Sequence, residues 1–178
     1  MKVFLAGGTG FIGGHLLDGL LANGHEITAL VRPSSELPLS RPGLTWLPGE
    51  WLAPDTWLPA LAGHQAVVHA VGLIRERGEA TYEAVQTEVP IRLHAAARDL
   101  GVGTVVQISA LGAEAGAPSR VLRTKHAADH HRAHAGLHHL SLRPSFGDGR
   151  GGHSVWFFEA VAHRPGVPLP GGGRMRVQ

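Results

Sequence analysis

An α/β fold with a doubly wound parallel sheet is predicted for this 178-residue chain. Three observations carry the expectation. Short apolar or β-branched runs alternate with longer helical stretches, the first run leads straight into a glycine-rich turn, and neither a repeat nor a linker divides the chain. A chain of this length can bury roughly 70 % of its unfolded surface in one core.

The elements follow in order. Residues 2–6, 26–31, 44–47, 66–70, 103–108 and 140–143 read as six strands. Between the first two, residues 11–22 read as a helix whose Ile12, Leu16 and Leu20 repeat every four residues and so share one face, and Asn23-Gly24 stops it. Residues 82–100 place Val85, Val89, Leu93 and Ala96 on one helical face, with Pro90 inside the stretch to kink or restart it. Residues 119–135 read as the next helix, with Ser119 as N-cap and Gly136 just past the end. The proline-rich piece 32–43 is short enough to be a connection. From 147 to 178 the chain is rich in Gly and Pro around one apolar stretch, 155–161. The expected division is a domain over 1–146 and a tail over 147–178.

Composition excludes whole classes. With no cysteine there is no disulfide framework, thiolate metal site or cysteine nucleophile. Sixteen Lys+Arg against fourteen Asp+Glu leave +2, and the cations are scattered, so no nucleic-acid footprint is expected. No apolar run approaches the ~18 residues of a membrane span. The N-terminus lacks the long apolar stretch and cleavage site of a leader, and a cytoplasmic location is expected.

The strongest motif is Gly7-Gly8-Thr9-Gly10-Phe11-Ile12-Gly13, a G-x-x-G-x-x-G spacing that follows a strand and opens a helix. Gly7 permits the tight turn, Gly10 lets the backbone approach a pyrophosphate, and Gly13 allows close helix–strand packing. The helix N-terminus offers the unpaired N–H groups of Phe11 and Ile12 to phosphates, and Thr9 can add a hydroxyl. No Lys-Ser/Thr pair follows, so it is not a Walker loop. The expectation is a Rossmann-type dinucleotide domain. At the end of the second strand, where an acidic residue would bond the ribose of NAD, the chain has Val31 and then Arg32. An arginine there, helped by Ser34 or Ser35, suits a 2′-phosphate. NADP(H) is the favoured cofactor and NAD(H) the alternative.

At these residues the chain resembles the short-chain dehydrogenase/reductase superfamily, in its extended or atypical branch of NAD(P)-dependent epimerase/dehydratase-like proteins, which includes a related complex I accessory subunit. Ala6 to Leu16 looks like their dinucleotide loop. Further matches are Gly49-Glu50-Trp51 at an adenine contact, His69-Ala70-Val71-Gly72 at the fourth strand, Ile108-Ser109-Ala110 at the fifth, and Leu142-Arg143-Pro144-Ser145 after the sixth. The resemblance implies cofactor contacts at Glu50, Trp51, Ala70, Val71, Gly72 and Pro144. It also implies a continuation past Pro168-Leu169-Pro170 into a further strand and a small substrate lobe, so the C-terminal substrate lobe is expected to be largely missing, with 147–178 its incomplete start.

The family's chemistry, so far as the resemblance carries over, rests on a Ser, a Tyr and a Lys, the tyrosine four residues before the lysine. Ser109 and Lys125 stand at two of these positions as the expected catalytic pair, and Lys125 would also hold the nicotinamide ribose. The tyrosine position is Val121, which has no proton to give. The only tyrosine, Tyr82, lies on another predicted helix. Two functions stay open: an NAD(P)-dependent oxidoreductase or epimerase-like enzyme using another acid, such as His126 or water, or a non-catalytic nucleotide-binding scaffold or redox sensor acting through a protein partner. A small-molecule substrate of unknown identity and a homo-oligomer are compatible with either.

Six of the thirteen histidines lie between His126 and His139. His126, His130 and His134 share a helical face, but no H-E-x-x-H motif accompanies them, and an exposed histidine-rich face rather than a metal site is expected. Trp46, Trp51, Trp57 and Trp156 read as core or rim packing, with Trp51 the one that could touch adenine. Ser109 is not in a G-x-S-x-G elbow, so nothing supports a hydrolase.

Overall fold

The computed structural model describes residues 1–33, 39–133 and 138–145. By its contacts the chain divides into two units, Met1–Arg143 and Pro144–Gln178. In the first unit β1 (Lys2–Ala6), β2 (Glu26–Val31), β3 (Leu44–Pro48), β4 (Ala66–His69), β5 (Thr104–Ile108) and β6 (His138–Leu142) form one sheet. Its order is β3-β2-β1-β4-β5-β6, and every pairing is parallel. This is the doubly wound Rossmann-type arrangement that the sequence predicts. The chain reverses its direction of growth at β1, so a crevice opens between the carboxyl ends of β1 and β4.

Alternation along β1 divides the core. Val3 and Leu5 pack with Leu17, Ile27, Ala29 and Val68 on one side, while Phe4 and Ala6 join Trp57, Leu61, Val67, Leu93 and Val105 on the other. Covering both faces is what a parallel sheet requires. Leu93 is wholly buried, and truncating such a side chain to Ala costs about 2–5 kcal/mol.

Helix α1 (Phe11–Ala22) ends at Asn23, and Gly24 follows with φ +74°, as Asn-Gly predicts. Its inward stripe differs from the expected one. Gly13 and Leu17 are buried and Ile12 is exposed, because the helix leans on the glycine turn through Gly13, while Leu16 and Leu20 flank the contact.

The stretch around Pro90 restarts rather than kinks. A π-helical turn, Ala84–Glu88, runs into α2 (Val89–Asp99) with Pro90 in its first turn. Proline has no N–H to return to the carbonyl four residues back, so a wider turn before it leaves no bond unmade. The extra residue of the π turn keeps Val85, Val89 and Leu93 buried and brings Ala97, rather than Ala96, fully inward. Helix α3 (Arg120–Ala133) begins after Ser119, whose carbonyl accepts from Arg123 N at 3.1 Å, as an N-cap carbonyl does. Gly136 lies outside the described residues. So do Ser34 and Ser35, His134, Trp156 and the apolar stretch 155–161. Strand β6 starts two residues earlier than its apolar run, at His138; its pairing with β5, not its hydrophobicity, sets its length.

Candidate functional site

The loop after β1 is built by its glycines. Gly7 has φ +91°, and a Cβ there would lie 2.8 Å from the Ala70 carbonyl, so the turn sits against the end of β4. Gly7 O accepts from Gly10 N at 3.0 Å. Gly10 is the N-cap of α1, extended at φ −83° and ψ 171°, and neither a side-chain cap nor an acidic residue occupies the first turn. The first-turn N–H groups of Phe11, Ile12 and Gly13 are therefore open to an anion. A Cβ on Gly13 would lie 1.9 Å from Gly7 O. That contact is with the turn itself rather than with a strand.

Gly7, Thr9 and Gly10 line a cleft of about 400 Å³ together with Arg32, Glu50, Trp51, Leu52, Ala70, Val71, Gly72, Leu73, Ala80 and Val85. The segments that converge there follow β1, β2, β3 and β4. Of the residues expected at a cofactor, Gly7, Thr9, Gly10, Arg32, Glu50, Trp51, Ala70, Val71 and Gly72 line this one cleft. Arg32 and Glu50 are exposed. Trp51 reaches the cleft from the core: it is buried, its indole N–H donates to the Val85 carbonyl at 3.2 Å, and it stacks on Trp57 and on His69. Phe11, Ile12 and Gly13 lie beside the cleft, with Phe11 edge-on to His15 at 5.3 Å. Pro144 belongs to the second unit.

Neither Ser109 nor Lys125 is in the cleft lining. Lys125 Nζ donates to the Ile108 carbonyl at 3.0 Å, and a Cβ on Gly72 would meet Nζ at 3.6 Å. The ammonium is thus next to the Gly72 wall. Burial lowers its pKa, with Asp129 acting in the opposite direction. Ser109 Oγ donates to Asp129 Oδ2 at 2.7 Å, into the body of the protein.

The remaining candidates for an acid lie elsewhere. His126 lines a groove with Thr87, Ile91 and His130 on the outer side of α2 and α3. The Tyr82 hydroxyl donates to the Ile74 carbonyl at 2.9 Å, and the Arg120 guanidinium lies over its ring at 5.7 Å. Among the described residues no group of three or more His, Asp or Glu side chains could hold a metal, and no helix is long and apolar enough to cross a membrane.

Two residues that sequence reasoning passes over support the site. Gln86, in the π turn, is buried; its Oε1 accepts from Leu73 N at 3.0 Å, and its Nε2 donates to Thr124 Oγ1 at 3.0 Å and the Val121 carbonyl at 3.3 Å. It ties the cleft floor to α3. Asp129 collects Ser109 together with Ser141 and Arg143. No local signal in the sequence marks either, since their partners are distant in the chain.

The geometry can be set beside known proteins. The profile of the NAD(P)H-binding family matches residues 7–153. A 3-beta-hydroxysteroid dehydrogenase of Mycolicibacterium neoaurum is 35 % identical over 80 residues, which are 45 % of this chain and 22 % of that protein. Among solved structures, MoeE5 in complex with UDP-glucose and NAD superposes with a TM-score of 0.75 at 23 % identity, covering 90 % of this chain and 60 % of the other. The Thermus thermophilus UDP-glucose 4-epimerase complex with NAD gives 0.70 at 24 % identity, covering 90 % and 62 %. The chain thus spans less than a quarter of the length of the dehydrogenase and under two thirds of these solved chains. The structural likenesses show the fold, in agreement with the resemblance to extended short-chain dehydrogenase/reductases, and the profile match, which runs from the glycine loop past β6, shows that the chain belongs to the NAD(P)H-binding family.

Proposed function

We propose that the chain binds NADP(H), with NAD(H) as the alternative, and acts as an oxidoreductase or epimerase-like enzyme on a secondary alcohol or ketone. The observation that carries the reading is the convergence of Gly7, Thr9, Gly10, Arg32, Glu50 and Gly72 on one cleft. The residues fit such a cofactor: the glycine turn has no Cβ to block a pyrophosphate, the first turn of α1 is uncapped, and Arg32 is an exposed cation at the end of β2. In this reading α1 takes the pyrophosphate, Arg32 the 2′-phosphate, Glu50 and Trp51 the adenine end, and Lys125, beside Gly72, the nicotinamide ribose. When bound, the nicotinamide supplies hydride transfer. The chain's own contribution would be the Val71–Gly72 wall with the Lys125 ammonium beside it, the proton coming from a group other than Val121, which has none to give.

The second reading, a nucleotide-binding scaffold or sensor that serves a protein partner, draws on Val121 and on the Ser109 hydroxyl being engaged by Asp129. Calorimetric titration with NADPH and NADH tests binding: tight NADPH binding weakened by Arg32→Ala supports the cofactor, and no heat with either nucleotide rejects it. Val121→Tyr separates the two functions. Reductase activity gained toward simple carbonyls supports an enzyme site short of one proton donor, and no gain favours the scaffold.

A further inference from the structure

Four residues after Lys125, α3 carries a buried carboxylate. Asp129 is 3 % exposed and stands one helical turn after Lys125 on α3. Its Oδ2 accepts from Ser109 Oγ at 2.7 Å and Arg143 Nη2 at 3.3 Å, and its Oδ1 from Ser141 Oγ at 2.9 Å. Two separate segments, the residue after β5 and the end of β6 with Arg143 beyond it, thus converge on one side chain of α3. An ionised carboxylate is withdrawn from water only where donors and opposite charge replace the lost hydration. The two hydroxyls supply donors, and Arg143, whose side chain is 45 % exposed, supplies a charge that solvent screens. A further cation, Lys125, is itself part-buried and hydrogen-bonded to the uncharged Ile108 carbonyl. Side chains four apart on a helix are neighbours, and these two reach consecutive residues, Lys125 the Ile108 carbonyl and Asp129 the Ser109 hydroxyl, so opposite charges stand on one side of α3.

We propose that Asp129 is the internal counter-ion of Lys125 and a positioning residue of the cofactor site: it keeps the ammonium charged and holds α3 in register with the ends of β5 and β6. The role in the site rests on the reading of Lys125 given above; the pairing of the two charges does not. Asp129 also explains why Ser109 faces inward. Its hydroxyl completes the carboxylate's hydrogen bonds and so serves the lysine indirectly.

The charged and titratable groups bearing on Lys125 among the described residues are few. Asp129 lies on its own helix, and Arg143 beyond β6 shares Asp129. From β4 comes His69, kept neutral by burial, with His94 of α2 behind it. The π turn presents the uncharged Gln86 amide.

The chain has only two lysines, Lys2 and Lys125, so lysine labelled with 13C at Cε gives two NMR signals that Lys125→Arg assigns. The pairing predicts that Asp129→Asn lowers the titration midpoint of Lys125 by about one pH unit or more and leaves Lys2 unmoved. Arg143→Gln removes the competing cation and raises the Lys125 midpoint. A Lys125 midpoint unchanged in a folded Asp129→Asn protein overturns the proposal. Should that variant fail to fold, Arg143→Gln at its half-exposed position decides alone, an unchanged or lowered midpoint being the contrary result.

NADPH titrations of the same proteins across pH read the consequence for the site. Affinity should fall at a lower pH in Asp129→Asn than in the parent, by the same interval as the lysine midpoint, which a merely structural strut would not produce. A parent protein that binds neither NADPH nor NADH sinks the nucleotide reading and Asp129's part in it, while the lysine titration still decides whether the charge pair exists.

Discussion

The His69 imidazole and the Trp51 indole lie face to face, with ring centres 4.9 Å apart and planes 8° from parallel. Trp51 stacks in turn on Trp57, and Trp57 on Phe4. Within this packing His69 Nδ1 donates to the Gln107 side-chain oxygen at 2.7 Å. Burial drives the imidazole pKa down to about 3, against the opposing pull of the Gln107 hydrogen bond.

A loss of stability in mild acid follows from that shift. The folded pKa lies below the unfolded value of 6.5, so between these limits the unfolded chain binds a proton that the folded one refuses. The stability is full above pH 6.5 and falls as pH drops toward 3, by about 1.4 kcal/mol per unit and on the order of 4 kcal/mol in all. Urea unfolding at pH 7, 6, 5 and 4 measures the slope. In His69→Gln the slope should flatten by close to one proton, and an unchanged slope would acquit His69.

Two glycines of α1 should respond oppositely to alanine. At Gly19 nothing lies within 4 Å of an added Cβ, and Gly19→Ala in the helix interior should stabilise the protein by about 0.5–1 kcal/mol. At Gly13 the Cβ would lie 1.9 Å from Gly7 O. Gly13→Ala must displace the turn, and should both lower the melting temperature and abolish nucleotide binding. Thermal melts and calorimetry on the pair check this.

Removing the Gln86 amide strands the part-buried Leu73 N–H, whereas the Val121 carbonyl keeps the Thr124 hydroxyl as a donor. Each buried group left unpaired costs about 1–3 kcal/mol, so Gln86→Leu should be destabilised by roughly that amount or more. It should also loosen the 71–73 segment and weaken NADPH binding. A variant that melts with the parent and binds normally would show that the amide is not a strut.

Arg32 should discriminate between cofactors. A charge-assisted hydrogen bond is worth about 1.5–3 kcal/mol, so Arg32→Ala should weaken NADPH about tenfold to a hundredfold and leave NADH nearly unchanged. Equal losses for both nucleotides would place the guanidinium on a shared part of the cofactor.

Much of this is legible in the chain. The ends of β1, β2 and α1 coincide with changes of residue type that force a change of backbone: Ala6 to Gly7, Val31 to Arg32-Pro33, Ala22 to Asn23-Gly24. The cleft lining is legible for a related reason, since all of its segments but those of Ala80 and Val85 directly follow a strand. What escapes is set by contacts distant in sequence. Nothing local distinguishes Gln86 or Asp129 from a solvated polar residue; their partners lie 13 to 38 and 12 to 20 positions away. Ile12 is misplaced because periodicity knows the helix but not the turn it leans on, and β6 because its first residues are held by β5 rather than by burial.

The strand order carries one more consequence, for the nascent chain. β2 can pair with β1 as soon as residue 31 has appeared, and β3 then joins the free side of β2. β4 closes on the opposite side of β1, and β5 and β6 extend that flank in turn. Each new strand meets an edge already waiting for it, and none has to be threaded between two that are paired. Synthesis from the N-terminus is therefore compatible with growth of the sheet from its centre outward, the glycine turn and both of its flanking strands being complete before the second half of the chain exists.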